Sequence, residues 1–236
     1  MSASARAFIA LVALYAIVWF VALGYRDLVD PDEGRYSEIP REMIASGDWV
    51  TPRLDGLKYF EKPPLQYWLT AVSFEAFGMS NATARLWLAF IGFAGALWTA
   101  YVAFRLYGPD AGWFAFVASS SAVLYSGASH YLTLDMSVSV FIVVGLGCLV
   151  LAQRERSRPK ILRNWMLLGY AALAAAVMTK GLIGVVLPAA AVFLYSIWQR
   201  DWEIWRRLHL VKGTLLLLAL TAPWFVLVSE RNSEFL

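Results

Sequence analysis

Four short stretches carry almost all the residues able to do chemistry in an otherwise apolar chain. Asp30-Pro31-Asp32-Glu33-Gly34-Arg35-Tyr36 sets three carboxylates beside a cation and a phenol. Tyr59-Phe60-Glu61-Lys62-Pro63-Pro64 puts an acid next to a base, ahead of two prolines that stiffen the backbone. Glu61 and Lys62 must then point different ways, one suited to a metal as an oxygen ligand, the other to a phosphate. His130-Tyr131-Leu132-Thr133-Leu134-Asp135 contains the only acid between Asp110 and Glu155. Met178-Thr179-Lys180-Gly181 holds a lone lysine between two apolar runs. Each stretch also has a plainer reading. Asp30, Asp32 or Asp135 can cap a helix, Glu61 and Lys62 can form a surface ion pair, and Lys180 can snorkel to a membrane boundary. On residue types alone both readings stand at every stretch.

What must position these residues is a set of membrane helices. Of 236 residues, 60% are hydrophobic and 16% charged, against roughly 45–50% and 25% in soluble domains. That excludes a disordered polymer and a water-soluble single domain. Apolar runs at Ala7–Tyr25, Thr83–Phe104, Ala111–Ala128, Met136–Ala152, Trp165–Thr179, Leu182–Trp198 and Thr214–Ser229 predict about seven spans. The fold class is an all-α integral membrane protein, a multi-span helical bundle. The first run is too long for a signal-peptide core and is read as a retained helix. A net charge of +3 gives no case for nucleic acid. A single cysteine, Cys148, allows no intramolecular disulfide, and two histidines, His130 and His209, are too few for a metal cluster by themselves.

Basic residues fix the expected orientation. Gln153–Arg163 carries Arg154, Arg156, Arg158, Lys160 and Arg163, while Gln199–Lys212 carries Arg200, Arg206, Arg207 and Lys212. Both loops fall on the side of the amino terminus, which the positive-inside rule places in the cytoplasm. All four chemical stretches then face outward. Between Arg26 and Lys62, fifteen of thirty-seven residues are charged, so this first outer connection is unlike the rest. Within it, Ser37–Gly47 predicts an amphipathic helix closed by Gly47, and Leu65–Phe77 a second interfacial helix. Acids, cations and aromatics gathered at one membrane boundary suit the holding of a lipid phosphate during chemistry at its head group.

These residues, in this order, resemble the lipid-carrier-dependent glycosyltransferases of the protein O-mannosyltransferase-like group, which have the multi-span GT-C architecture. Asp32-Glu33-Gly34-Arg35-Tyr36, Glu38-Ile39-Pro40-Arg41-Glu42-Met43 with Gly47-Asp48-Trp49, Phe60-Glu61-Lys62-Pro63, Leu134-Asp135 and Met178-Thr179-Lys180-Gly181 carry the likeness across almost the whole chain. Within the group it is nearest to the aminoarabinose transferases that modify lipid A.

The resemblance implies inverting transfer of a sugar from undecaprenyl phosphate, at the periplasmic face of a bacterial inner membrane. The expected acceptor is lipid A or another periplasmic acceptor. It implies Asp32 as the principal catalytic or acceptor-positioning carboxylate and Asp135 as the second. Arg35, Lys62 and Lys180 match cations that hold phosphate, and Tyr36 and Tyr59 match aromatics lining the site. Glu61 matches a carboxylate implicated in binding a divalent metal of the zinc type, with further ligands outside this chain. No organic cofactor is implied. The family's later histidine-containing segment, its remaining spans and its soluble domain have no counterpart here, so the chain is expected to be part of a longer polypeptide. Gly34 and Pro64-Leu65-Gln66 read more like the general family than the aminoarabinose branch. That leaves a related transferase with another sugar, and a protein or glycan acceptor, as the alternative. A transporter or flippase coupling through Asp135 and Lys180 is the competing class, and a membrane scaffold a third.

Overall fold

The structure, a computed structural model, describes residues 3–235 of the chain, with side chains from Arg6 onward. In chain order its elements are α1 (Ala3–Val21), α2 (Asp32–Ser46), β1 (Arg53–Leu54), β2 (Leu57–Lys58), α3 (Leu65–Phe77), α4 (Asn81–Tyr107), α5 (Pro109–Ser121), α6 (Val123–Ser129), α7 (Asp135–Arg154), α8 (Pro159–Lys180), α9 (Ile183–Gln199), α10 (Ile204–Arg207) and α11 (Leu210–Arg231). α4, α7, α8 and α11 are long and apolar enough to cross a membrane, and Arg6–Val21 and Ile183–Gln199 are shorter apolar helices. The chain divides into two compact units. One comprises residues 1–47, 53–57 and 67–136, the other 48–52, 58–66 and 137–236.

In the first unit, α4 and α5 form a helical hairpin closed by Gly108, whose φ of 95° is open to glycine, with Pro109 starting α5 at once. Gly112 lets the two helices approach: a Cβ there would lie 3.2 Å from the Ala100 carbonyl oxygen and 3.0 Å from Phe104 Cβ. Phe116 is fully buried among edge-on rings of Phe8, Tyr15 and Phe93. Trp19 donates its indole N–H to the Ala89 carbonyl at 2.8 Å, and Tyr125 its hydroxyl to the Gly92 carbonyl at 2.6 Å, fixing α1 and α6 on α4. α4 opens with a capping box between Ser80 and Thr83. α2 buries Tyr36, Ile39 and Met43 and keeps Arg41 exposed, ending at Gly47 with φ of 69°. Both expected helices are present, with α2 starting five residues before the expected one and α3 spanning the expected Leu65–Phe77.

The second unit packs α8 against α9 and α11. Gly145 and Gly169 bring α7 onto α8, since a Cβ on Gly169 would stand 3.2 Å from Cys148 Cβ and 3.3 Å from the Gly145 carbonyl. Cys148 is fully buried, as its apolar run suggests. Ala152, Leu162, Met166, Val192, Ile204 and Leu208 form a common apolar cluster at the end where α7 passes into α8.

Two helices depart clearly from the apolar runs. α1 stops at Val21 although the run continues to Tyr25, because the Leu23, Arg26 and Asp27 carbonyls leave helical geometry to accept an arginine described below. The run Ala111–Ala128 is two helices, broken at extended Ala122. Ser120 and Ser121 bond back to Phe116 and Val117, and Ser126 bonds to the Ser120 carbonyl, so hydroxyls take over from the helical ladder there. A tight turn at Asp55-Gly56, with φ of 53° and 77°, joins the two-residue strands β1 and β2 and was not expected.

Candidate functional site

In the first unit the organising residue is Glu33, which is completely buried. Arg85 grips its carboxylate with two parallel bonds, Nε at 2.8 Å and Nη2 at 2.9 Å. Arg26 pairs with it as well. The backbone N–H groups of Val29 and Leu132 donate to it at 3.0 and 2.9 Å. Arg85, itself 1% exposed, spends its other donors on the carbonyls of Leu23, Arg26 and Asp27 at 2.9–3.0 Å. Arg26 reaches on to the His130 carbonyl at 3.0 Å. A buried carboxylate and a buried guanidinium are each costly alone. Here every lone pair and N–H is met, which is the condition for such a pair to hold. Burial by itself would raise the Glu33 pKa, but the bonds from Arg85, Arg26, Leu132 and Val29 prevail and lower it to about 2.

This hub joins four pieces of chain: the end of α1, the start of α2, the first turns of α4, and the strap from α6 to α7. His130 reinforces the strap, its two ring nitrogens facing the carbonyls of Ser126 and Trp19 at 2.7 Å each. Two expected site carboxylates flank the hub. Asp32 precedes Glu33 as the first residue of α2, and Asp135 is the first residue of α7, three positions after Leu132. Both sit at helix N-termini, whose partial positive charge attracts anionic groups. Asp32 is half-buried and Asp135 exposed. Neither is the cap that the plainer reading offered: the residue before α2 is Pro31, which makes no side-chain cap, and Asp135 lies inside α7. Arg35 is half-buried one turn along α2. Tyr36 is buried, its ring stacked on Tyr67 at 6.2 Å and 23°, so its aromatic face packs α2 onto α3.

In the second unit the Tyr59–Lys62 stretch is held on both sides. Asn232 and Thr51 share a buried hydrogen bond of 3.0 Å, and Trp224 donates to the Val50 carbonyl at 3.0 Å. Phe60 meets Phe235 edge-on at 5.2 Å, and Lys58 pairs with Glu234. Beyond the buried Pro63-Pro64, Ser137 of α7 donates to Gln66 at 2.7 Å with both side chains fully buried. Between these anchors Glu61 is exposed and accepts the Tyr59 hydroxyl at 2.9 Å, while Lys62 is half-buried. Lys180 is half-buried at the last residue of α8, where the helix dipole suits a cation and Gly181 turns the chain at φ of 79°.

The expected site residues thus form two groups. Asp32, Arg35, Tyr36 and Asp135 belong to the first unit, and Tyr59, Glu61, Lys62 and Lys180 to the second. As for a metal, Glu61 is not joined by other acids, histidines or cysteines into a ligand set among the described residues. The one such grouping is Glu38, Glu42 and Asp55, part of it already bonded to Arg41 and the Gly56 N–H. Glu61 belongs to no group of three or more such ligands among the described residues, so a metal held there would need ligands from beyond them.

Reading the sequence paired the Asp32–Glu33 carboxylates with Arg35 and Tyr36. The structure corrects this for Glu33, whose partners are Arg26 and Arg85. Arg85 lies inside the apolar run Thr83–Phe104. The signal was there, since a guanidinium inside such a run requires a buried anion.

Apolar helices long enough to cross a membrane, with further helices of mixed or apolar character after the first and acids at two helix starts, make the layout of a polytopic membrane protein. The chain belongs to the family described as dolichyl-phosphate-mannose-protein mannosyltransferase, whose model matches residues 4–235. Among curated relatives, the undecaprenyl phosphate-alpha-4-amino-4-deoxy-L-arabinose arabinosyl transferases of Erwinia tasmaniensis and Aeromonas hydrophila are 32% and 33% identical, over 94% and 96% of this chain. The chain spans 40% and 41% of those two proteins. Crystal structures of ArnT from Cupriavidus metallidurans, in the apo state and bound to undecaprenyl phosphate, are 44% identical, with TM-scores of 0.96 and 0.95. They match 99% of this chain and 44% and 43% of their own. The fold is that of a GT-C membrane protein.

Proposed function

We propose that this chain is part of a glycosyltransferase that moves 4-amino-4-deoxy-L-arabinose from an undecaprenyl-phosphate donor to a lipid A phosphate, with inversion. The observation that carries this reading is the pair of helix-start carboxylates, Asp32 and Asp135, fixed by one buried ion-pair hub. It stands in a chain 44% identical to a protein crystallised with undecaprenyl phosphate.

In the reaction an acceptor oxygen attacks the anomeric carbon as the bond to the carrier phosphate breaks. Positive charge grows on the sugar and negative charge on the departing phosphate. Arg35, Lys62 and Lys180 are the cations assigned to that phosphate, more strongly engaged as its charge develops. A lipid A phosphate is already anionic near neutral pH. Asp32 then orients the acceptor and balances charge, whereas a hydroxyl acceptor would need it as a base. Asp135 is the second carboxylate, and Tyr59 lines the site while holding Glu61. Any metal at Glu61 depends on ligands beyond these residues, and no step here requires one.

The seven apolar stretches are read as spans of the bacterial inner membrane, with the amino terminus in the cytoplasm and the site facing the periplasm. The arginine-rich α7–α8 and α9–α11 connections support that orientation. The family's description favours a second reading, a mannose-type donor with a protein acceptor. Mass spectrometry of lipid A from cells with and without the full-length protein separates the two, because only the first adds one pentosamine. Asp32→Asn in the full-length enzyme tests the site: transfer falls by about a hundredfold or more while the protein stays folded. Undiminished transfer would defeat the assignment.

A further inference from the structure

The end of the second unit farthest from Lys180 has features the transfer reaction does not use. Arg163 lies seventeen positions before Lys180 on α8, roughly 25 Å away at the helical rise. Here the α7–α8 and α9–α11 connections bring nine basic residues against Glu155, Asp201 and Glu203. Three of the polar side chains are only partly committed. Arg163 Nε, Arg207 Nη1 and both amide atoms of Gln153 are buried without a hydrogen-bond partner. Arg207 uses its other terminal nitrogen on Glu203 at 2.6 Å. These residues stand next in sequence to Ala152, Leu162 and Leu208, which pack in one cluster, so their three segments meet. Buried donors left unpaired are rare and point to a missing acceptor.

Beside that cluster lies a hollow of about 180 Å³, walled by Leu149, Met166, Leu173, Val185, Pro188 and Val192. A dry apolar cavity of about 150 Å³ already holds a benzene-sized group, so this one takes a segment of hydrocarbon chain. Apolar hollow and excess positive charge together fit an anionic amphiphile, and basic pockets between membrane helices bind lipid head groups by this logic.

We propose that this end of the molecule is a binding site for an anionic glycerophospholipid. Its phosphate accepts from Arg163 and Arg207, the Gln153 amide completes the head-group contacts, and one acyl chain enters the hollow. The site is separate from the donor site and does not depend on the transfer reaction.

The test uses the full-length protein, purified and delipidated, with native mass spectrometry during titration by dioleoyl phosphatidylglycerol or dioleoyl phosphatidylethanolamine. The glycerol lipid is retained preferentially. Arg163→Gln with Arg207→Gln weakens its retention by roughly thirtyfold, while Lys160→Gln with Lys212→Gln, the same charge change at exposed positions, leaves it unaltered. Ala189→Trp, which fills the hollow with the head-group residues intact, also abolishes retention and decides the matter should the arginine variant not fold. Undecaprenyl phosphate binds alongside the glycerol lipid without displacing it. Equal retention of the two phospholipids, equal loss in the lysine variant, or one-for-one displacement by undecaprenyl phosphate would overturn the proposal. So would a folded arginine variant with intact retention, as when a carboxylate elsewhere in the full-length protein meets Arg163 and Arg207.

Discussion

Replacing Glu33 by Gln is the sharpest perturbation of the candidate site, because it changes one charge and almost no volume. The carboxylate is fully buried and receives bonds from Arg85, Arg26, Val29 and Leu132. Its pKa is lowered from 4.5 to about 2. At roughly 1.4 kcal/mol per unit, the ionised form contributes about 3 kcal/mol to the folded state. Removing one member of a buried ion pair costs about 3–5 kcal/mol by general experience, so the two estimates agree. The sign follows from linkage. A depressed pKa gives stability that is complete above the unfolded-state value near 4.5 and is lost as pH falls through about 2. Thermal unfolding of the full-length protein and its Glu33→Gln variant therefore shows a constant gap above about pH 5.5, which narrows as pH drops below 4.5. Glu33→Gln with Arg85→Met is destabilised by less than the sum of the single variants, since the pair leaves together and no charge stays stranded. Transfer activity falls in Glu33→Gln even at temperatures where it is folded, because the starts of α2 and α7 lose their common anchor. A Glu33→Gln protein with wild-type melting at pH 7 and full activity would refute this account of the hub.

Other substitutions probe the rest. On the proposed reaction, Lys62→Met in the full-length protein lowers kcat by about a hundredfold through lost stabilisation of the departing phosphate, read in a steady-state assay with the polyprenyl donor, while thermal melting is unchanged. Asn232→Leu removes the buried bond that Asn232 donates to the Thr51 hydroxyl, costing about 0.5–1.5 kcal/mol in melting experiments. It raises proteolytic susceptibility in residues 58–62. Gly112→Val places methyl groups against the Ala100 carbonyl and Phe104, and destabilises by about 1–3 kcal/mol, measured by the same melting assay. Gly47→Ala, at φ of 69°, costs about 1 kcal/mol and frays the end of α2.

Where the apolar pattern alone decides the local structure, the sequence was a sufficient guide. α3 and the closing glycine of α2 appear where periodicity and Gly47 place them, since a short apolar helix and a left-handed cap are local matters. The breaks were less visible. Ala111–Ala128 reads as one apolar run because serines count as small and helix-compatible, yet three in succession offer hydroxyls that compete for helical carbonyls. The start of α8 at Pro159, six residues before its apolar run begins, was hidden among charges. The burial of Tyr36 against Tyr67 comes from long-range packing that spacing cannot show.

The largest gap concerns which acid of the Asp32–Glu33 pair does what. Adjacent residues at a helix start point about 100° apart, so one can face the packed interior while its neighbour faces outward. The sequence contains the arbiter. Arg85 lies fifth after the capping Ser80 in a helix otherwise free of charge until Arg105, and its fork can be buried only against a carboxylate of matching geometry. Glu33 has one methylene more than Asp32, and in the structure it reaches inward to both Arg85 and Leu132. The inward acid then becomes scaffold, while the shorter Asp32 stays half-buried, open to the role proposed for it above. An arginine inside an otherwise apolar helix therefore sorts the two carboxylates of this pair into different duties.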